Sequence, residues 1–266
     1  MNQHQLDGFR DWFLEYVEFF YTGDEFIDSN LKLKREHSLR VCTEMAYLTD
    51  AMGLSHNDGR IAQAIAIFHD IGRFKQFVEY RTYNDARSTN HCLLGLEVLR
   101  SSGILSELPD EERLVIEKAV EYHGVKQLPP QLDGDCLEFC RMIRDADKLD
   151  VYHIAVGFYK NYKTAPKSFM LELEFPDKPV CSPHVVDAVL NEESIDYKSL
   201  RTLNDMLLCQ LGWVYDINFA ASLRRIKDRK YLETLLGYLP QTGELAKVRQ
   251  KVLSYVDGRL AQTKGF

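Results

Sequence analysis

The run Ala64-Ile65-Ala66-Ile67-Phe68 passes without a break into His69-Asp70. A stretch this apolar folds as a buried element, and a polar or charged group carried inside with it must find a partner there. Any fold open to the chain therefore has to bring something to His69 and Asp70. That requirement constrains the molecule more than its composition does.

Apolar residues recur with the helical period along most of the chain. Phe9, Trp12, Phe13, Tyr16, Phe19 and Phe20 predict an amphipathic helix packed on the body. Ser29 or Asn30 caps a helix running to about Met52, and residues 53–58 form the loop after it. Asn57 or Asp58 caps the next helix, through Ile71, with Gly72 at its C-terminal end. Residues 73–87 show no clear period and read as an ordered loop. Ser88-Thr89-Asn90 cap a helix from His91 to about Ser102, closed by Gly103. Another starts at 108–113 with acidic residues in its first turn, favourable to the helix dipole, and Gly124 follows its end. A connector over 126–135 leads to a long helix from about Cys136 to Tyr159. Alternation in Phe169–Phe175 gives a short extended piece or one short β-hairpin. Helices resume from Pro183, with Gly212, Gly237 and Pro240 as punctuation. The fold class is all-α.

Charge narrows the function. Lys and Arg total 33 against 40 Asp and Glu, a net charge of −7, which repels phosphate backbones and argues against stable nucleic-acid binding. A small anionic substrate remains compatible where positive charge is concentrated locally, above all by metal ions. No apolar run approaches the roughly 18 residues of a membrane span. Asp11, Glu15 and Glu18 interrupt the N-terminal apolar residues, so no leader is expected and the expected location is cytoplasmic. Cys42, Cys92, Cys136, Cys140, Cys181 and Cys209 form no CxxC pair and read as reduced, mostly buried thiols, with a zinc–thiolate site as the alternative.

Several histidines fall where a surface histidine would not. His37 lies on the stripe Leu33, Val41, Met45, Leu48 and Met52. His123 continues the face of Ile116 and Ala119 or Val120. Cys140, Ile143, Asp147, Val151 and Ile154 follow one another in steps of three or four, which puts Asp147 on an inward face while Asp145 projects elsewhere. His91 opens its helix. Taken singly, each is a hydrogen-bonded core histidine or a salt-bridged aspartate. Together, four histidines and two carboxylates turned inward carry a severe desolvation cost. Divalent cations compensate all of them, because neutral imidazole and ionised carboxylate are their ligands. Two cations suit six ligands better than one, which would keep no open position for chemistry.

The ordered set His37, His69-Asp70, Asp147 resembles the signature of the HD superfamily of metal-dependent phosphohydrolases. Residues 69–74 (HDIGRF) and 144–150 (RDADKLD) are similar to its second and last motifs. His91 and His123 match the two additional histidines of members with a two-metal centre, although many of those carry two adjacent histidines where this chain has Tyr122-His123. The similarity spans about residues 30–155. It implies an HD-type helical bundle, and with the helical pattern of the rest the chain reads as a single domain over 1–266, with a metal-binding core at about 30–160 and a helical extension over 161–266.

By the same resemblance His37, His69 and Asp147 bind one metal, His91 and His123 a second, and Asp70 bridges them. The ions would be one or two of Fe, Mn, Ni, Mg or Zn. A hydroxide held between them would attack phosphorus in a nucleotide or other small phosphate ester. Asp70, Arg73 and Lys148 are the catalytic candidates, the last two as holders of phosphate oxygens, with Lys75 and Arg81 behind them. Asp150 either orients a ligand histidine or forms a surface salt bridge. The same ligand set also serves di-iron oxygenases of the superfamily, and a third reading is a non-catalytic nucleotide-binding sensor. The aromatic-rich segments 11–21 and 211–219 pack on the body or form a homodimer interface.

Overall fold

The computed structural model describes residues 1–162 and 175–262. Among these residues all regular structure is helical, as the apolar period requires. The expected β-hairpin at 169–175 lies, but for its last residue, outside the described residues. The chain divides into two compact units, Met1–Asp150 and Val151–Phe266.

In the first unit α1 (Gln3–Glu18) is closed at its start by a capping box between Asn2 and Gln5. It buries Leu6, Phe9, Phe13 and Val17, and Phe9 and Phe13 meet Phe68 and Phe74 at ring-centroid distances of 5.4 and 5.8 Å. Phe19 lies just past the helix end and is 82% exposed, so it does not continue the packed stripe.

The helix carrying His37, α2, spans Glu25–Met52 and begins earlier than Ser29 or Asn30. Asp24 is its cap, accepting from the Ile27 amide. Burial of Ile27 and Leu31 extends the apolar face back by a turn. The next helix, α3 (His56–Phe68), is capped by Ser55 rather than Asn57 or Asp58, and ends at Phe68 with His69 as its C-cap. Gly72 is therefore not its terminus.

Instead Gly72 opens α4 (Gly72–Tyr80), where the sequence suggested a loop. Nine residues hold too few turns to display a period. What specifies α4 is tertiary: Phe74 and Phe77 are buried one turn apart, and the Gly72 backbone is pressed against the backbone of the following helix. That helix, α5 (His91–Ser102), runs from the Asn90 cap to Gly103 as expected. So do α6 (Asp110–Tyr122) and α7 (Gly134–Asn161), within a residue or two. Helix α3 is packed by α1, α2 and α6, and α5 lies between α4 and α6. This central position explains why Ala64–Phe68 are fully buried.

The second unit contains α8 (Pro183–Leu190), α9 (Leu203–Gly212), α10 (Ala220–Asp228), α11 (Tyr231–Leu236) and α12 (Gly243–Gln262). Helix α12 packs on α8 and α10, and α9 on α8. Its buried carboxylate, Asp205, accepts from Ser182 N and Oγ and from the amides of Arg201 and Thr202, so the charge is fully compensated. No helix among the described residues is long and apolar enough to cross a membrane.

A Cβ at Gly72 would fall on the His91 carbonyl oxygen and 2.6 Å from the Gly95 nitrogen, both backbone atoms that cannot swing aside. Gly72→Ala is expected to cost at least ~2 kcal/mol in urea unfolding. Gly8→Ala, with nothing within 4 Å of the new carbon, should be neutral or slightly stabilising.

Candidate metal centre

Two of the ring systems are delivered by the same device. His69 and His123 are the C-caps of α3 and α6, where the last carbonyls of a helix lack partners. Each ring turns back onto the carbonyl three residues earlier: His69 Nδ1 lies 2.8 Å from Ala66 O, and His123 Nδ1 2.9 Å from Val120 O. The other two are held by carboxylates. His37 Nδ1 is 2.7 Å from Asp150 Oδ2, and His91 Nδ1 is 2.7 Å from Asp85 Oδ2.

Every one of these four partners can only accept, so each Nδ1 carries the proton and each Nε2 presents a lone pair. The four Nε2 atoms converge. His37 and His69 meet at 3.3 Å, and His91 and His123 at 3.1 Å. Asp70 sits between the pairs and divides itself. Its Oδ2 is 3.5 Å from His37 Nε2 and 3.6 Å from His69 Nε2, while Oδ1 is 3.5 Å from His91 Nε2 and 3.6 Å from His123 Nε2. Asp147, at the rim with 29% of its side chain exposed, closes the first group at 3.2 Å from His37 Nε2.

Facing lone pairs at hydrogen-bond distance have no proton between them in the neutral state. Such an arrangement is stable only around positive charge. The donor set of imidazole nitrogen and carboxylate oxygen, buried and aimed at common points, fits divalent metal. The structure thus brings His37, His69, Asp70, His91, His123 and Asp147 to one place.

Titration behaviour follows from the same neighbours. Burial pushes His69 down to about 4. Burial and the Lys34 charge also oppose protonation of His37, but hydrogen bonds to Asp147 and Asp150 outweigh them and raise its pKa. Burial would raise Asp70, yet Lys34, His69, His123 and Arg73 hold it well below the usual carboxylate range. Asp147 is likewise held low by His37 against burial. Asp85 falls to about 2 because His91 and Arg73 outweigh its burial.

The remaining candidates are more dispersed. Arg73 donates to Gln76, Tyr83 O and Asp85, and approaches Asp70 Oδ1 at 3.4 Å. Lys148 approaches Arg144 O at 3.4 Å. Lys75 pairs with Glu97 at 3.5 Å on the surface, and Arg81, also exposed, ends α4 in the left-handed conformation. Asp145 is fully buried. Asp150 is buried rather than on the surface, and it is gripped by Arg40 at 2.6 and 3.0 Å while it holds His37.

Three residues of the centre escaped the sequence reading. Lys34 donates to Asp70 Oδ2 at 2.7 Å, and its signal was its place three residues before His37 on one helix face. Asp85 gave no signal, since it lies in a short 3-10 turn, Asp85–Arg87, between helices. Cys92 has its Sγ 3.4 Å from His91 Nε2, and 3.7 and 4.0 Å from Nδ1 and Nε2 of His123. Against burial, His123 and His91 lower this thiol to about 5, whereas burial pushes Cys42, Cys140 and Cys209 up to about 12.

The family model of the HD domain matches residues 35–152, the span from just before His37 to just past Asp150. No curated protein and no solved structure matches the chain.

Asp150→Asn keeps the shape but weakens the acceptor behind His37. Metal affinity is expected to fall about 10–100-fold in equilibrium dialysis with the fold retained by circular dichroism. His37 and His123 have raised pKa values, so protons compete for them before the depressed carboxylates titrate. Lowering the pH from about 8 to about 6 should therefore weaken metal binding at least about tenfold, as read by calorimetry.

Proposed function

We propose that this chain, whose residues 35–152 form an HD domain, is a metal-dependent phosphohydrolase acting on a nucleotide or another small phosphate ester. The match to the HD domain, whose superfamily is largely one of metal-dependent hydrolases, supports this reaction class. The observation that carries the reading is the divided carboxylate of Asp70, each oxygen facing its own pair of imidazoles. That geometry suits two divalent ions, drawn from Mn, Fe, Ni, Mg or Zn. When bound, they supply Lewis acidity toward phosphoryl oxygens and lower the pKa of water.

The chain's own residues do the rest. Asp70 joins the two halves of the site, and Asp150 and Asp85 keep His37 and His91 in the tautomer that presents Nε2 inward. Lys34 is 18% exposed at its side chain and touches the centre at Asp70, so its ammonium stands between the buried ligands and solvent. A phosphate arriving there meets positive charge before it reaches the carboxylates. Arg73 is fixed by Asp85, Gln76 and the Tyr83 carbonyl, and its role is to position Asp70 and to contribute charge at the same edge. Lys148, next in sequence to Asp147, is the third candidate for phosphate oxygens. The acidic net charge favours a small ester over a polynucleotide.

Protein loaded anaerobically with manganese, iron or nickel is expected to hydrolyse members of a nucleotide and phosphomonoester panel, and a chelator should abolish turnover reversibly. Asp70→Asn should lower kcat/KM by about 10³-fold or more. Lys34→Gln should act mainly through KM. Full metal occupancy without hydrolysis of any phosphate ester, or substrate-dependent oxygen uptake by the iron form, would overturn the reading.

A further inference from the structure

Cys92 is a buried sulfur that the proposed hydrolysis does not use. It follows His91 directly, sits in the first turn of α5, and shares its surroundings with His91 and His123. Gly124 leaves it room: a Cβ there would stand 2.8 Å from the sulfur and 3.1 Å from His91 Cε1. The sulfur thus occupies space beside both imidazoles that a larger residue at 124 would deny it.

We infer that Cys92 is a ligand at the His91–His123 end of the centre, making that end a thiolate site while the His37–His69–Asp147 end offers only nitrogen and oxygen. The inference rests on the reading that a metal is held by His91 and His123. A tetrahedral ion bound at about 2.0–2.1 Å to nitrogen and about 2.3 Å to sulfur keeps its ligands about 3.3–3.6 Å apart. Five of the six edges of such a set can be compared. They are 3.1 Å between His91 and His123, 3.5 and 3.6 Å from these to Asp70 Oδ1, and 3.4 and 4.0 Å from Cys92 Sγ to the two Nε2 atoms. Four lie within a few tenths of an ångström of the tetrahedral set; the Cys92–His123 edge is longer, with Sγ nearer that ring's Nδ1 at 3.7 Å.

The chemical consequence is selectivity between two positions a few ångströms apart. Thiolate favours zinc, cobalt or iron over manganese and magnesium, whereas imidazole with carboxylate discriminates less. The centre would then be asymmetric, one end demanding a thiophilic ion and the other accepting harder ones.

Metal-free protein titrated anaerobically with cobalt(II) tests this without reference to turnover. The expected result is two bound equivalents, with sulfur-to-cobalt charge-transfer absorption in the near ultraviolet from one of them. That band should vanish in Cys92→Ser, and zinc affinity at this position should fall at least about tenfold with manganese affinity unchanged. Two equivalents without the band in the wild-type protein would overturn the thiolate ligand and leave the two-metal reading standing. A single equivalent without the band would overturn both. Because the wild-type spectrum alone decides between these, the outcome does not depend on how well the variant folds.

Discussion

The structure turns on the carboxylate of Asp70, a buried anion whose two oxygens serve different neighbours. An uncompensated carboxylate in such a place would be expelled from the core or protonated. Its position at the end of the most deeply buried helix, α3, makes its partners part of the folding problem as well as of the chemistry. Histidines from α2, α5, α6 and the end of α3 itself must arrive together, each already oriented by an acceptor behind it. The packing of α3 against α1, α2 and α6 is what makes that arrival geometrically possible.

The four imidazoles are oriented in two ways that differ in robustness. His69 and His123 lean on carbonyls of their own helices, so their rings are fixed once those helices form. His37 leans on Asp150 from α7, 113 residues away, and His91 on Asp85 from the turn just before α5, six residues away. Arg40 and Arg73 in turn hold those carboxylates. Three of the four imidazoles are thus oriented from within a few residues of sequence, and His37 by a tertiary contact.

That division also explains what was legible from the sequence. Helices with strong punctuation, such as Asn90 before α5 and Gly103 after it, could be placed from residues alone. Helical spacing likewise put His37, His123 and Asp147 on apolar faces, and the structure brings them to one place with His69, Asp70 and His91. Helix α4 could not, since nine residues carry too little pattern and its position is set by close contact at Gly72. The start of α2 was misjudged because Asp24 reads as a turn residue until Ile27 is known to be buried. Asp85 lies in a short turn without a helical period, so nothing marked it until His91 and Arg73 were placed beside it. Lys34 shares a helix face with His37, but its partner Asp70 is 36 residues away.

The ammonium of Lys34, resting on Asp70 Oδ2 with part of its side chain still in contact with water, gives the chain a counter-ion of its own. A protein furnished in this way need not wait for metal to fold, because the most demanding anion in its core already has a tethered cation. A divalent ion binding there would compete with a covalently attached monovalent charge for its place beside the carboxylate. Loading would thereby be separated from folding, and the displaced lysine would keep its charge beside the site.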